Sequence, residues 1–290
     1  MMAAQHTPWE WLRLWLVLGR VSNLPTVWSN CLAAWLISEG GQVTRLLGVG
    51  LGTSLLYVGG MFLNDYLDAS FDRELRRGRP IPSGAVSAGL VSTGAWSSLA
   101  AGVLVLVFSG ANHWMVGALV TSIIFYNLIH KATPLSPLVM GACRLLVYLI
   151  AGSVADKGVA GLAIWSGIAL AAYVVGLSFV ARQETSAGTV AWWPLVLLLT
   201  PVGLALIANS DYHREIAIGI SLLMVFWVLL ALGPTLGKGS ISTPAMVEKL
   251  IAGMVIVDLL AVGLTSPGVV ILFVAFFALT LLGQKAIPGS

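Results

Sequence analysis

Long apolar runs separated by short polar stretches make up most of this chain. Ten of the runs approach the roughly 20 apolar residues that a helix needs to cross the hydrocarbon core of a membrane. The pattern predicts an all-α fold, a polytopic membrane helical bundle formed as a single domain over residues 1–290. Only residues 265–268 separate the last two runs, so nine and ten transmembrane helices both remain open. The predicted spans lie near residues 21–38, 46–64, 88–109, 114–130, 136–154, 160–181, 191–208, 215–236, 246–264 and 268–284.

The composition excludes a soluble globular protein of this size. Hydrophobic residues make up 58% of the chain and charged residues only 9%, whereas soluble proteins carry about 25% charged residues. The net charge of +3 does not indicate a nucleic-acid partner, and it fits basic loops on one side of a membrane. The two cysteines, Cys31 and Cys143, lie in apolar runs without the spacing of a disulfide framework or a zinc site.

The positions of lysine and arginine predict an orientation, because cytoplasmic loops of membrane proteins carry an excess of basic residues. With the N-terminus in the cytoplasm and the loops sorted alternately, eleven basic residues fall on the cytoplasmic side and three on the other. We therefore expect a multi-pass protein of the cell (inner) membrane. The cytoplasmic set is Arg13, Arg20, Arg73, Arg76, Arg77, Arg79, Lys131, Arg182, Lys238, Lys249 and Lys285, and the opposite set is Arg45, Lys157 and Arg214.

Three oxygen-bearing side chains at the end of the second apolar run suggest a metal site. Asn64, Asp68 and Asp72 are spaced i, i+4 and i+8, so they share one face of a helix that continues out of the span. Ionisable groups at a span end are costly and are usually functional. Their oxygens suit Mg²⁺, which takes part of its coordination shell from substrate phosphates. This face predicts half of a Mg²⁺–diphosphate site.

Arginines at positions 73, 76, 77 and 79 follow this face of the helix. Guanidinium groups suit phosphate oxygens, but the excess of basic residues on the cytoplasmic side would also place arginines here. Both interpretations remain open for these arginines.

These motifs resemble those of the UbiA superfamily of intramembrane prenyltransferases. Two flanking segments also resemble parts of that family, one where the first helix begins and one where the fourth helix ends. The matching residues are Asn64-Asp65-x-x-Asp68-x-x-x-Asp72 with Arg79-Pro80-x-Pro82-Ser83-Gly84, then Arg20-Val-Ser-Asn23-Leu-Pro25-Thr26, and Tyr126-Asn-Leu-Ile-His130-Lys131.

The resemblance implies a helical bundle around a central cavity, with its active site on the cytoplasmic side of the membrane. The implied reaction is Mg²⁺-dependent transfer of a prenyl group from an isoprenyl diphosphate to a hydrophobic or aromatic acceptor. The prenyl tail would lie between helices, in a cavity that opens into the membrane lipid. Asp65 is expected to support the metal ligands. The resemblance implies Mg²⁺ as cofactor, metal ligands Asn64, Asp68, Asp72 and Glu184, catalytic roles for Asp68, Asp72 and Tyr126, and substrate binding by Arg20, Asn23, Arg79 and Lys131.

The second acidic motif of the family is degenerate in this chain. With Gly188 as the anchor, Glu184 takes the place of the second aspartate and Val180, which cannot bind metal, takes the place of the first. In one interpretation Glu184 holds the second metal ion alone and Arg182 acts as a catalytic residue that grips phosphate. In another, the site is incomplete and the protein is a non-catalytic polyprenyl-lipid binding or metabolite trafficking protein. In a third, Arg182 and Glu184 are a plain juxtamembrane pair. The sequence Arg182-Gln183-Glu184 resembles a divergent, EboC-like branch of the family.

Two charged residues lie within apolar runs, where a charge costs at least about 2.5–3.5 kcal/mol unless it is paired or hydrated. Arg144 lies in the fifth run, and we predict that it binds substrate from the cavity wall, with snorkelling to the interface as the alternative. Asp258 lies in the ninth run, and we expect it to pair with a polar neighbour.

Overall fold

The computed structural model describes residues 7–182, 192–208, 214–236, 244–263 and 266–287, and these ranges are helical with short connections. No strand occurs within them. The helices are α1 (Pro8–Leu18), α2 (Leu24–Ile37), α3 (Val43–Leu75), α4 (Ala88–Phe108), α5 (His113–Ile129), α6 (Ser136–Ser153), α7 (Gly161–Arg182), α8 (Trp193–Leu198), α9 (Thr200–Ala208), α10 (Arg214–Leu236), α11 (Pro244–Val262) and α12 (Pro267–Ala286), with a 3₁₀ turn at Val21–Asn23 before α2.

The predicted spans fall on helical segments, nine of them on one helix each and one on two short helices, which confirms the all-helical membrane fold. Six helices are long and apolar enough to cross a membrane, and two apolar stretches are shorter, His113–Ile129 and Trp193–Ala208. The number of crossings, nine or ten, stays a prediction. The six long segments are Val43–Leu75, Ala88–Phe108, Ser136–Ser153, Gly161–Arg182, Arg214–Gly233 and Pro267–Ala286.

The predicted span near residues 191–208 is wrong as a single helix, because it is divided into α8 and α9. Pro201 has no N–H to donate to the carbonyl four residues earlier, and its ring crowds that carbonyl. The Thr200 hydroxyl donates to the Leu197 carbonyl instead, at 2.5 Å. The side chain thus satisfies the oxygen that the proline leaves without its helical partner.

Helix α3 forms one side of the bundle and packs closely against α4. The approach depends on Gly52 and Gly102, since a Cβ atom on Gly52 would lie 3.1 Å from the Gly102 carbonyl oxygen. The 33 residues of α3 span about 50 Å at 1.5 Å per residue, which exceeds the roughly 30 Å of a hydrocarbon core. Part of α3 must therefore lie outside the hydrocarbon, and its polar last turns are the part whose composition fits there.

Helix α2 lies inside the bundle, where it packs against α3, α6, α7, α11 and α12. Helix α12 also reaches back to the 3₁₀ turn, and Gly283 permits this contact because a Cβ atom there would meet Ser22 at 3.2 Å. Helices α2 and α12 are thus neighbours, although they are far apart in the sequence.

Candidate active site

The polar end of α3 turns its acidic face into the protein. Asn64 and Asp68 are 8% exposed and Asp72 is 2% exposed, although all three lie in the polar last turns of the helix. Their i, i+4, i+8 spacing places them in one row, as the sequence predicted. Burial of two carboxylates in one row requires nearby positive charge, because unpaired buried charges are costly.

Two arginines supply part of that charge. Arg79 Nη1 donates to Asp72 Oδ2 at 3.0 Å and to Asp65 Oδ1 at 3.2 Å. Arg20 Nη2 lies 3.7 Å from the same Asp65 oxygen. Arg20 adopts a left-handed backbone conformation with φ of +44°, which is unfavourable for a side chain with a Cβ atom. Such strain is often concentrated at functional sites. Asp65 thus joins the two arginines, which gives it the supporting position expected from the sequence.

The connection after α5 supplies the other cations. Lys131 Nζ lies 2.7 Å from Asp68 Oδ1, and His130 Nε2 lies 3.3 Å from the same oxygen. The Lys131 ammonium also lies over the Phe71 ring, 3.9 Å from its centre. Tyr126, one turn earlier on α5, stacks on the His130 ring. The predicted residues Tyr126 and Lys131 therefore belong to the same cluster as Asp68.

Arg182, at the end of α7, braces this connection. Its guanidinium donates to the Thr133 carbonyl at 3.0 Å, the Ser136 hydroxyl at 2.8 Å and the His130 carbonyl at 3.3 Å. These contacts place Arg182 next to the segment that presents Lys131. Its predicted metal-binding neighbour Glu184 lies outside the described residues. Val180 is fully buried in the hydrophobic core.

An apolar cavity lies alongside the row of acids. Tyr57, Gly60 and Met61 of α3 line it, and they precede Asn64 on the same helix. Thr53, Tyr57, Tyr126, Asn127 and Arg144 bring polar groups to the wall, and the remainder is mainly aliphatic. The lining residues are Val27, Thr53, Leu56, Tyr57, Gly60, Met61, Leu119, Ile123, Tyr126, Asn127, Met140, Cys143, Arg144 and Val147.

A profile of the UbiA prenyltransferase family matches residues 22–287. The chain belongs to the UbiA prenyltransferase family. Curated relatives include 4-hydroxybenzoate octaprenyltransferases of Paraburkholderia phymatum, 37% identical over 33% of this chain and 35% of that protein, and of Alcanivorax borkumensis, 28% identical over 47% and 48%. The aligned regions thus span about a third to a half of these relatives. A solved structure described as digeranylgeranylglyceryl phosphate synthase has the same fold, with a TM-score of 0.61 and 18% identity over 87% of this chain and 97% of that one.

Within this UbiA fold, Asn23 and Arg144 lie apart from the ion-pair cluster. Asn23 Nδ2 donates to the Tyr57 hydroxyl at 3.3 Å, and its Oδ1 accepts from Gln284 Nε2 at 3.1 Å. Arg144 lines the cavity, as predicted, with its guanidinium carbon 5.9 Å from the centre of the Tyr57 ring. Its donors reach α2, which rules out simple snorkelling to the interface.

Sequence reasoning missed Tyr57, Asn127 and Gln284 as residues of this UbiA site. A signal for Tyr57 existed, since it lies seven residues, or two turns, before Asn64 and therefore on the same face of α3. Gln284 could not have been found this way, because its contact with Asn23 joins residues 261 positions apart.

The described side chains fit half of a magnesium site rather than a complete one. Asn64, Asp68 and Asp72 offer amide and carboxylate oxygens, the ligands that Mg²⁺ prefers. Within the described ranges, no group of three or more His, Cys, Asp or Glu side chains is arranged to hold a metal ion. Asp68 and Asp72 are instead ion-paired with Lys131 and Arg79. This arrangement fits a cation that takes its other ligands from water and from a bound phosphate group.

Proposed function

We propose that this protein is a Mg²⁺-dependent prenyltransferase that moves a prenyl group from an isoprenyl diphosphate to a hydrophobic or aromatic acceptor. One observation carries the proposal. A row of Asn and Asp oxygens on α3 meets cations from the α3–α4 and α5–α6 connections, and Asp65 beside the row meets Arg20, which precedes the 3₁₀ turn. The same helices, α3 and α5, continue as the wall of an apolar cavity. Such a site suits a ligand with a polyanionic head and an apolar tail.

The ion pairs make diphosphate and metal binding mutually dependent. Arg79 and Lys131 neutralise Asp72 and Asp68. A diphosphate would offer these cations stronger anionic partners, because guanidinium and ammonium groups bind phosphate oxygens well. Asn64, Asp68 and Asp72 would then be the residues that hold Mg²⁺. When bound, Mg²⁺ supplies positive charge to the leaving diphosphate.

The reaction breaks the bond between the allylic carbon C1 and the diphosphate oxygen, and the electron pair leaves with the diphosphate. An electron pair of the acceptor then forms the new bond to C1, and the acceptor releases one proton to the departing diphosphate. Arg20, Arg79 and Lys131 stabilise the developing negative charge from fixed positions. The aliphatic cavity wall excludes water that would otherwise capture the allylic cation.

The names of the curated relatives support an aromatic acceptor and a long prenyl donor. The basic residues at the mouth of the cavity support an active site at the cytoplasmic face of the inner membrane, because basic residues accumulate on that side.

The test is Mg²⁺-dependent release of diphosphate from geranyl, farnesyl and geranylgeranyl diphosphate by the purified protein, with membrane lipid extract as the source of acceptor. We expect release with the natural chain and with Glu39→Gln, a control acid that pairs with Lys157 instead of a cluster residue. Asp68→Asn and Glu184→Gln should abolish it. Tight diphosphate binding without turnover across several extracts would contradict catalysis and favour the lipid-binding interpretation, with Val180 as its cause.

A further inference from the structure

A second polar network lies within the bundle, among α2, α6 and α11. Its centre is Asp258, which is fully buried. Asp258 accepts hydrogen bonds from the Ser29 hydroxyl at 2.5 Å, the Tyr148 hydroxyl at 2.5 Å and Asn30 Nδ2 at 2.7 Å. These three donors offset part of the cost of burying the carboxyl group in its charged form. This network confirms the expectation that Asp258 pairs with polar neighbours.

Asn30 joins this carboxylate to the arginine of the cavity wall. Its Oδ1 accepts from Arg144 Nη1 at 2.9 Å, while its Nδ2 faces Asp258. Arg144 Nη2 also donates to the Thr26 hydroxyl at 3.3 Å. Because arginine remains charged in proteins, a positive charge and a carboxyl group are buried on the two sides of a single amide. With Asp258 ionised, the network has no net charge.

Arg144 stands farther along the cavity than the cations that pair with the acidic row. It lies beside Tyr57, which precedes Asn64 by seven residues and Asp68 by eleven on α3. These separations correspond to rises of about 10 Å and about 16 Å along the helix. Since the cations of the cluster hold the diphosphate at Asp68 and Asp72, the group that meets Arg144 is taken to be part of the acceptor.

Asn127 adds an unused acceptor to the same cavity. Its Nδ2 donates to the Gly60 and Ile123 carbonyls. Its Oδ1 is buried, and nothing in the described ranges donates a hydrogen bond to it. A buried acceptor without a partner is costly. A hydroxyl or N–H group of a ligand would satisfy this oxygen, whereas a carboxylate placed there would be repelled.

We propose that the cavity selects an uncharged acceptor that bears a hydroxyl group, with Arg144 and Asn127 as specificity-determining residues and Asp258 as a positioning residue. A neutral oxygen of the acceptor takes the Arg144 donors, and a hydroxyl satisfies Asn127 Oδ1. With Asp258 ionised and balancing Arg144, an anionic acceptor would leave one uncompensated negative charge in the interior. This inference rests on the proposed prenyl transfer, and it separates this chain from relatives named for the acidic 4-hydroxybenzoate.

The test compares 4-hydroxybenzoate with 4-hydroxybenzamide, which has almost the same shape and no charge at pH 7. Purified protein is assayed with Mg²⁺ and geranylgeranyl diphosphate, and binding of both compounds is measured by calorimetry so that selection can be tested without turnover. We expect kcat/KM, and the affinity, to favour the amide by at least tenfold.

Two substitutions should move that preference in opposite directions. Asp258→Asn leaves Arg144 uncompensated and should shift the ratio at least tenfold toward the carboxylate. Arg144→Gln leaves Asp258 uncompensated and should shift it further toward the amide. A merely structural role for these residues would lower both rates and leave the ratio unchanged. If Asp258→Asn does not fold, the preference of the natural chain and its change in Arg144→Gln still test the inference.

A natural chain that prefers 4-hydroxybenzoate, binds the two compounds equally or does not bind the amide overturns the inference. So does an unchanged ratio in folded variants. Absence of turnover with selective binding of the amide would instead contradict the proposed transferase activity and leave the selectivity intact.

Discussion

The pairing of Lys131 with Asp68 predicts that one substitution will have opposite effects on two ligands. Lys131→Met should strengthen binding of Mg²⁺ alone, because it removes the ammonium that lies 2.7 Å from an Asp68 oxygen and repels an incoming cation. The same change should weaken binding of an isoprenyl diphosphate in saturating Mg²⁺, because the diphosphate loses a cationic partner. General damage to the fold would weaken both.

The structure sets the size of the effect. The Lys131 side chain is 38% exposed and that of Asp68 is 12% exposed. Exposed ion pairs contribute about 0–1 kcal/mol, and breaking a buried pair costs about 3–5 kcal/mol. A half-buried pair therefore corresponds to about 1.4 kcal/mol, which is a tenfold change in a dissociation constant. We expect about tenfold tighter Mg²⁺ binding and about tenfold weaker diphosphate binding.

Titration calorimetry of the purified protein measures both affinities, with geranylgeranyl thiolodiphosphate as a slowly reacting donor. Lys157→Met is the matched control, because Lys157 pairs with Glu39 instead of a residue of the acidic row, and it should leave both values within twofold of the natural chain. Unchanged or weaker Mg²⁺ binding by Lys131→Met would refute the view that Lys131 competes with Mg²⁺ for the Asp68 carboxylate.

Three further predictions concern the fold and the brace at the site. Gly52→Ala should lower the thermal midpoint, at a cost of about 1–3 kcal/mol, because its new Cβ atom would lie 2.6 Å from a Leu106 carbon. The control Gly117→Ala should leave the midpoint unchanged, because no atom lies within 4 Å of the added Cβ, and equal midpoints for the two variants would count against the close α3–α4 contact. Val180→Asp should reduce folded yield rather than repair the second motif, since it buries an unpaired carboxylate; a stable variant with higher activity would contradict this. Arg182→Gln should speed proteolysis of the α5–α6 connection and weaken diphosphate binding, because three hydrogen bonds to that connection are lost; unchanged protection from protease would contradict the bracing role.

Features that depend on local sequence could be predicted well. The row of Asn64, Asp68 and Asp72 follows from helical spacing alone, and the apolar runs located the helices. The break between α8 and α9 was missed because hydropathy does not register the lost hydrogen bond at Pro201. The position of Pro201 in the middle of the apolar run was a signal in the sequence that the helix would be interrupted.

Contacts between distant helices could not be predicted. Asp258 was expected to have a polar partner, but the partners Ser29 and Tyr148 lie 229 and 110 residues away in sequence. The spacing of residues along one helix carries no information about which face of another helix those residues will contact. The role of Glu184 stays a prediction.

The hydrogen bond from Gln284 to Asn23 has a consequence for the biosynthesis of the protein. Gln284 belongs to α12, and it also donates to the Glu248 carbonyl of α11. Chains emerge from the ribosome in sequence order, so the acidic row and the cavity helices enter the membrane well before α12. Asn23, which donates to the Tyr57 hydroxyl, receives the Gln284 hydrogen bond only when α12 arrives. A nascent chain would thus lack this hydrogen bond behind the cavity wall until α12 has been synthesised.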